Sequence, residues 1–227
     1  MEIGYVTCDV FTRRRFTGNP LAVVPDAKGL SDVQMQAIAA EFNYAETTFV
    51  LPPRNPAHQA QVRIFTPKAE MPFAGHPNIG TALMLAELGL VAGETIVFEE
   101  KAGLVPIHLS KGPDGPEALL TAPVPPAFGE TVAAGKVAAV AGIAPDSILV
   151  NRHRPILATA GAEFLFVELA SLDVLEGLGP SQAYASLKGE GVFFYVATGK
   201  GALHGRMFAP RHGIPEDPAT GSAARQP

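Results

Sequence analysis

Two short segments of the sequence carry the same pattern of reactive residues. Gly75-His76-Pro77-Asn78-Ile79-Gly80-Thr81-Ala82 and Glu216-Asp217-Pro218-Ala219-Thr220-Gly221-Ser222-Ala223 share P-x-x-G-[ST]-A, preceded by His76 in one and Asp217 in the other. A Pro/Gly turn that opens a helix leaves backbone N–H groups without intrahelical partners. Together with the helix dipole they form a site for a carboxylate or an enolate-like oxyanion. The competing reading is structural: Pro and Gly shape the turn, and Thr81 and Ser222 cap the helices. Glu46 is the acid of interest, because it opens the apolar run Thr47-Thr48-Phe49-Val50 with Phe42 and Tyr44 just before it. A carboxyl desolvated there would have a raised pKa, suiting one group that both removes and returns a proton. Its alternative is a solvated acid at a strand edge.

Other chemistries lack their residues. Ser222 lies in T-G-S-A-A and not in the G-x-S-x-G elbow of a hydrolase. The phosphate loop G-x-x-x-x-G-K-[ST] is absent, and the glycine-rich stretch 199–205 fits no dinucleotide fingerprint. No two histidines have H-E-x-x-H spacing, and His58 and His108 read as structural. Cys8 is the only cysteine, which excludes a disulfide within the chain, a zinc site needing two thiolates, and catalysis by a pair of thiols. No metal site is expected.

These residues need elements to hold them. Segments 2–10, 21–24, 47–51 and 59–66 read as strands, and 31–42 as a helix with Ser31 as its N-cap. Segment 81–88 is helical by propensity with Glu87 as its only charge, so it is expected to be buried on all sides. Strands follow at 95–99 and 105–109, and 113–126 is the candidate linker. Beyond it, 136–141 reads as a helix, and 147–150, 163–169, 192–196 and 203–208 as strands.

The repeat extends upstream. Arg63-Ile64-Phe65-Thr66-Pro67-Lys68 matches Arg206-Met207-Phe208-Ala209-Pro210-Arg211 in the same order relative to the P-x-x-G-[ST]-A segments. A softer echo pairs 45–50 with 145–150. The expected architecture is therefore two similar lobes, 1–118 with a central helix near 81–89, and 119–227. The first lobe runs on well past Ala82, whereas Arg225-Gln226-Pro227 closely follow Ala223. By this symmetry the second lobe is expected to be incomplete, lacking its central helix and following strands.

The chain has 227 residues, 17 Lys+Arg against 22 Asp+Glu, and a net charge of −5, with no basic cluster beyond Arg13-Arg14-Arg15, which argues against nucleic-acid binding. No apolar run approaches the roughly 18 residues of a membrane span, and the N-terminus has no signal-like basic and apolar regions. A cytoplasmic protein with no membrane contact is expected.

Four motifs, Gly18-Asn19-Pro20-Leu21-Ala22-Val23, Glu46-Thr47-Thr48-Phe49-Val50, 75–82 and 216–224, resemble the PhzF-type phenazine-biosynthesis isomerase family in their order. The resemblance implies an α+β, diaminopimelate-epimerase-like fold: two pseudo-symmetric lobes, each a curved, mostly antiparallel sheet around a central helix, with the active site between them. It implies an isomerase without cofactor or metal, acting on a small carboxylate such as trans-2,3-dihydro-3-hydroxyanthranilate, and a homodimer. Glu46 matches the family's acid/base, and His76, Asp217 and Ser222 its other polar groups. Gly75, Asn78 and Gly221 fall at the substrate-binding turns. The family pattern continues beyond 224, so the chain resembles a C-terminally truncated member. Two alternatives stay open: a non-catalytic relative that binds a small anion or serves as a structural partner, and a cofactor-independent epimerase.

Overall fold

The computed structural model describes residues 2–113, 115–159, 163–199 and 202–218. The chain divides into two units, Met1–Pro125 and Pro126–Pro227. The sequence places the boundary at 118/119, which would cut a strand: Leu119 and Leu120 pair with His108 and Ile107 and stay with the first unit.

The first unit runs β1 (Val6–Val10), β2 (Asn19–Val24), α1 (Asp32–Phe42), β3 (Glu46–Leu51), β4 (Ala60–Phe65), β5 (Glu70–Met71), α2 (Gly75–Glu87), β6 (Thr95–Glu100), β7 (Gly103–Gly112) and β8 (Gly115–Leu120). The strands pair in the order β1-β2-β3-β4-β6-β7-β8, with β5 on the side of β4. The tight approach to β2 depends on Gly18, at φ +84°, where a Cβ would stand 2.4 Å from the Val10 carbonyl oxygen. α1 is the crossover that parallel β2 and β3 require. Ser31 caps it as expected, in a reciprocal capping box with Gln34.

α2 begins at Gly75, six residues before the sequence signal for a helix. Pro77 masks the start, yet a proline in the first turn costs little because those N–H groups have no intrahelical acceptor anyway. The helix is buried from Gly75 to Ala82 and at Leu85, and Ile79, Ala82 and Leu85 pack with Leu21, Val23, Ile64, Ile96, Phe98 and Ile107. Burial on all sides does not extend to its C-terminal end, where Leu88 is 47% exposed. Gly80 lets the helix lie against β1 and β2; a Cβ there would meet Leu21 Cδ2 at 2.6 Å and Val10 Cγ2 at 2.7 Å.

The second unit contains β9 (Ala127–Thr131), α3 (Ala134–Ala141), β10 (Ile156–Thr159), β11 (Glu163–Glu168), α4 (Leu172–Gly177), β12 (Gly191–Gly199), β13 (Ala202–Ala209) and β14 (Ile214–Asp217). Its sheet order is β14-β13-β12-β11-β10-β9. Leu165, Val167, Val192, Phe194 and Phe208 form its core with Val137, Ala138, Leu175, Tyr184 and Leu187 from the covering segments. Segment 147–150 is not a strand: Pro145–Ser147 is a 3-10 turn, followed by a single bridge from Ile148 to Leu169. The expected linker is also shorter, because β8 occupies its first half and leaves 121–126.

The two units repeat one pairing scheme. β1-β2-β3-β4-β5 is antiparallel, parallel, antiparallel, antiparallel, and so is β10-β11-β12-β13-β14. The counterpart of β3 is therefore β12, and the softer echo between 45–50 and 145–150 is a coincidence of sequence. The strong repeat is structural. Arg63 grips Glu70 through Nε (2.8 Å) and Nη2 (2.7 Å), and Arg206 grips Glu216 through Nε (2.7 Å) and Nη2 (2.8 Å). Each guanidinium lies over the phenylalanine two residues on, at 5.1 Å from Phe65 and 5.2 Å from Phe208. Gly221, Ser222 and the expected loss of a second central helix fall outside the described residues.

Candidate active site

Glu46 and His76 come together within the first unit. Parallel pairing sets Glu46, the first residue of β3, beside Leu21 of β2, two residues after Asn19. α2 lies against these strand ends and supplies His76 from its first turn. His76 Nδ1 is 3.4 Å from Glu46 Oε2 and 3.4 Å from Asn19 Nδ2. Asn19 is fully buried, His76 is 5% exposed, and the Glu46 side chain is 13% exposed, so Glu46 is not a solvated edge acid.

Burial pushes the His76 pKa down to about 3, against a smaller upward pull from the Pro20 carbonyl. The imidazole is therefore neutral near pH 7, and its contact with Glu46 is a polar contact rather than an ion pair. Nδ1 can donate to an ionised Glu46 or accept from a protonated one, but not both in one tautomer. Such a pair can hold a proton on the acid and stabilise the acid after the proton has left. Cys8 cannot add a thiolate, since burial chiefly, with Asp9 and Glu87, raises its pKa to about 11. Among the described residues no group of three His, Cys, Asp or Glu side chains could hold a metal ion.

No side chain caps α2, whose N-cap is Ala74, so the free N–H groups of the first turn stay available for an anion. Thr81 is not a cap. Its hydroxyl bonds Thr48 Oγ1 at 2.8 Å in full burial, locking α2 to β3 and so His76 to Glu46. Gly75 stands at the helix start as expected. Asn78 is fully buried and turns its amide to the Ala74 carbonyl (2.9 Å), on the other side of the helix from His76. Asp217 ends β14 in the second unit, opposite Met207 and half-buried. Asn19 had no role in the sequence reading; an asparagine held between Gly18 and Pro20 was the available signal.

An α+β chain with one sheet packed on an apolar helix, and an acid and neutral imidazole at the start of that helix, has the diaminopimelate-epimerase-like architecture. The sequence model of the PhzC-PhzF family, described as phenazine biosynthesis-like protein, matches residues 8–226. A protein of Mesorhizobium japonicum named an uncharacterized isomerase is 42% identical, over 97% of this chain and 77% of its own length. The trans-2,3-dihydro-3-hydroxyanthranilate isomerase of Pseudomonas chlororaphis is 36% identical, over 97% of this chain and 76% of its own. The crystal structure of a Bacillus anthracis PhzF-family phenazine biosynthesis protein superposes with a TM-score of 0.81 at 28% identity, covering 98% of this chain and 78% of that one. The chain belongs to the PhzC-PhzF family and is an isomerase of the PhzF type. The matches run to residue 226 and take in nearly all of this chain, and the chain spans 77% and 76% of the length of the Mesorhizobium japonicum and Pseudomonas chlororaphis relatives.

Proposed function

We propose that this chain isomerises a small carboxylate-bearing substrate by a proton shift, with Glu46 as the single acid/base and no cofactor. Glu46 takes a proton from one carbon, the electron pair moves through the adjacent double bond, and the protonated Glu46 returns the proton to another carbon. His76, neutral throughout, holds the acid's unused oxygen or a substrate donor. The free N–H groups at Gly75 and His76 receive the substrate's carboxylate or developing oxyanion. The family resemblance implies substrate roles for Asp217, Gly221 and Ser222 as well, and a homodimer. The name of the Pseudomonas chlororaphis relative makes trans-2,3-dihydro-3-hydroxyanthranilate the first substrate to try.

The observation that carries this reading is the buried Glu46–His76 contact beside an uncapped helix start. The test is turnover of that substrate in deuterated water. The wild type is expected to give the isomer, and Glu46→Gln to lose turnover by about 10²-fold or more, the usual scale for a general acid/base. Full turnover by Glu46→Gln sinks the one-base mechanism. Deuterium entering the substrate without rearrangement would mean an epimerase instead.

A further inference from the structure

Asn19 opens β2 opposite Val10 of β1, two residues before Leu21, which pairs with Glu46 of β3. Side chains two apart on a strand share a face, and Leu21 packs in the core around α2, so Asn19 is turned toward α2 as well. Its backbone is held on both sides. Gly18 before it has φ +84° with no room for a Cβ, and Pro20 after it has a fixed φ and no N–H. Asn19 is fully buried, and its Nδ2 meets His76 Nδ1 at 3.4 Å. Glu46 Oε2 stands 3.4 Å from the same ring nitrogen. Both groups therefore address Nδ1, while Nε2 is buried on the other side of the ring.

A neutral imidazole has one N–H and one in-plane lone pair. An amide N–H aimed at Nδ1 needs the lone pair there, which leaves the ring's proton to Nε2. We infer that Asn19 is a positioning residue that fixes His76 as its Nε2–H tautomer, so that Nδ1 is an acceptor for the proton-loaded Glu46. The neutral ring that this requires comes from burial. An ionised Glu46 faces a lone pair at Nδ1 and gains nothing from it, whereas a protonated Glu46 can donate there. The ring thus favours the state of the acid that exists between proton removal and proton return. One lone pair takes one full hydrogen bond at a time, and two contacts of equal length suit an exchange. Glu46 displaces Asn19 when it is loaded, and Asn19 resumes when Glu46 is ionised. An aspartate at position 19 would do the reverse. Its carboxylate calls for a ring N–H, draws the proton to Nδ1, and turns the Glu46 contact into one that favours the ionised acid.

The acceptor role rests on Glu46 being the acid/base of the proposed function, so the ring and the turnover are read separately. Long-range proton–nitrogen NMR of imidazole-labelled wild type near pH 7 is expected to show His76 with a pyridine-like Nδ1 and a protonated Nε2. Glu46→Gln should keep that tautomer, because Asn19 sets it, whereas Asn19→Asp should move the proton to Nδ1. Asn19→Asp is also expected to lose kcat by about 10–100-fold with KM within about threefold, the scale of an altered partner behind a working group. A wild-type ring with its proton on Nδ1, or a tautomer that follows Glu46→Gln instead of Asn19→Asp, overturns the assignment. A folded Asn19→Asp with the tautomer moved and kcat unchanged overturns the positioning role. If the buried carboxylate keeps Asn19→Asp from folding, Asn19→Ala decides: a mixture of the two tautomers is expected, and a ring unchanged from wild type overturns control by Asn19. A wild type with no isomerase turnover would defeat the proposed function while leaving the tautomer readable.

Discussion

At the residue scale the chemistry reduces to which groups carry a proton near neutrality. His76 has the residue type of a titrating catalyst, but its burial beside Asn19 and the Pro20 carbonyl removes it from that role. Its pKa of about 3 means that the folded form resists protonation throughout the range in which a free imidazole would charge. Imidazole 15N shifts of His76 are accordingly expected to stay those of a neutral ring from pH 8 to pH 5. A cationic ring at pH 6 would overturn the neutral-imidazole assignment. Any limb in the rate profile over that range then belongs to another group.

At the element scale the site depends on how α2 is clamped against β1, β2 and β3. The Thr48–Thr81 hydroxyl pair is one clamp. Removing one hydroxyl leaves the other buried and unsatisfied, so Thr48→Val or Thr81→Val should each cost about 1–3 kcal/mol, while the double valine variant should cost less than the two together. Additive losses in denaturant melts would mean the pair carries no coupling. The second clamp is the close approach at Gly80. Gly80→Ala would drive a methyl into Leu21 and Val10 and is expected to cost about 1–3 kcal/mol, read from the urea midpoint. An unchanged midpoint would show that β1 and β2 can give way there.

At the scale of the whole molecule the chain is two units built on one pairing scheme, each with its own core and its own Arg–Glu–Phe clasp. The repeat of residues 63–68 at 206–211 announced this duplication, because both copies must keep a bidentate guanidinium over an aromatic ring. The homodimer proposed above predicts a sedimentation mass near twice 23.7 kDa at micromolar concentration. A species at 23.7 kDa across that range would remove it. None of the helices is long and apolar enough to cross a membrane among the described residues.

Local sequence determined much of this. The capping box at Ser31, the alternation in β4 and the apolar run of α2 are short-range signals, and each element formed where its pattern lay. Glu46 was legible as an acid opening an apolar run, and His76 as a reactive side chain within a Pro/Gly turn. Three things were decided only by tertiary structure. The start of α2 lay hidden behind Pro77, because a first-turn proline looks like a helix breaker until the helix is packed. Segment 147–150 has strand-like residues, yet it makes only one bridge because β11 already has β10 and β12 as its neighbours. The neutral state of His76 follows from desolvation, which no residue type or spacing encodes. It arises only when the sheet and α2 close over the ring, which is why the sequence could name the imidazole but not its charge.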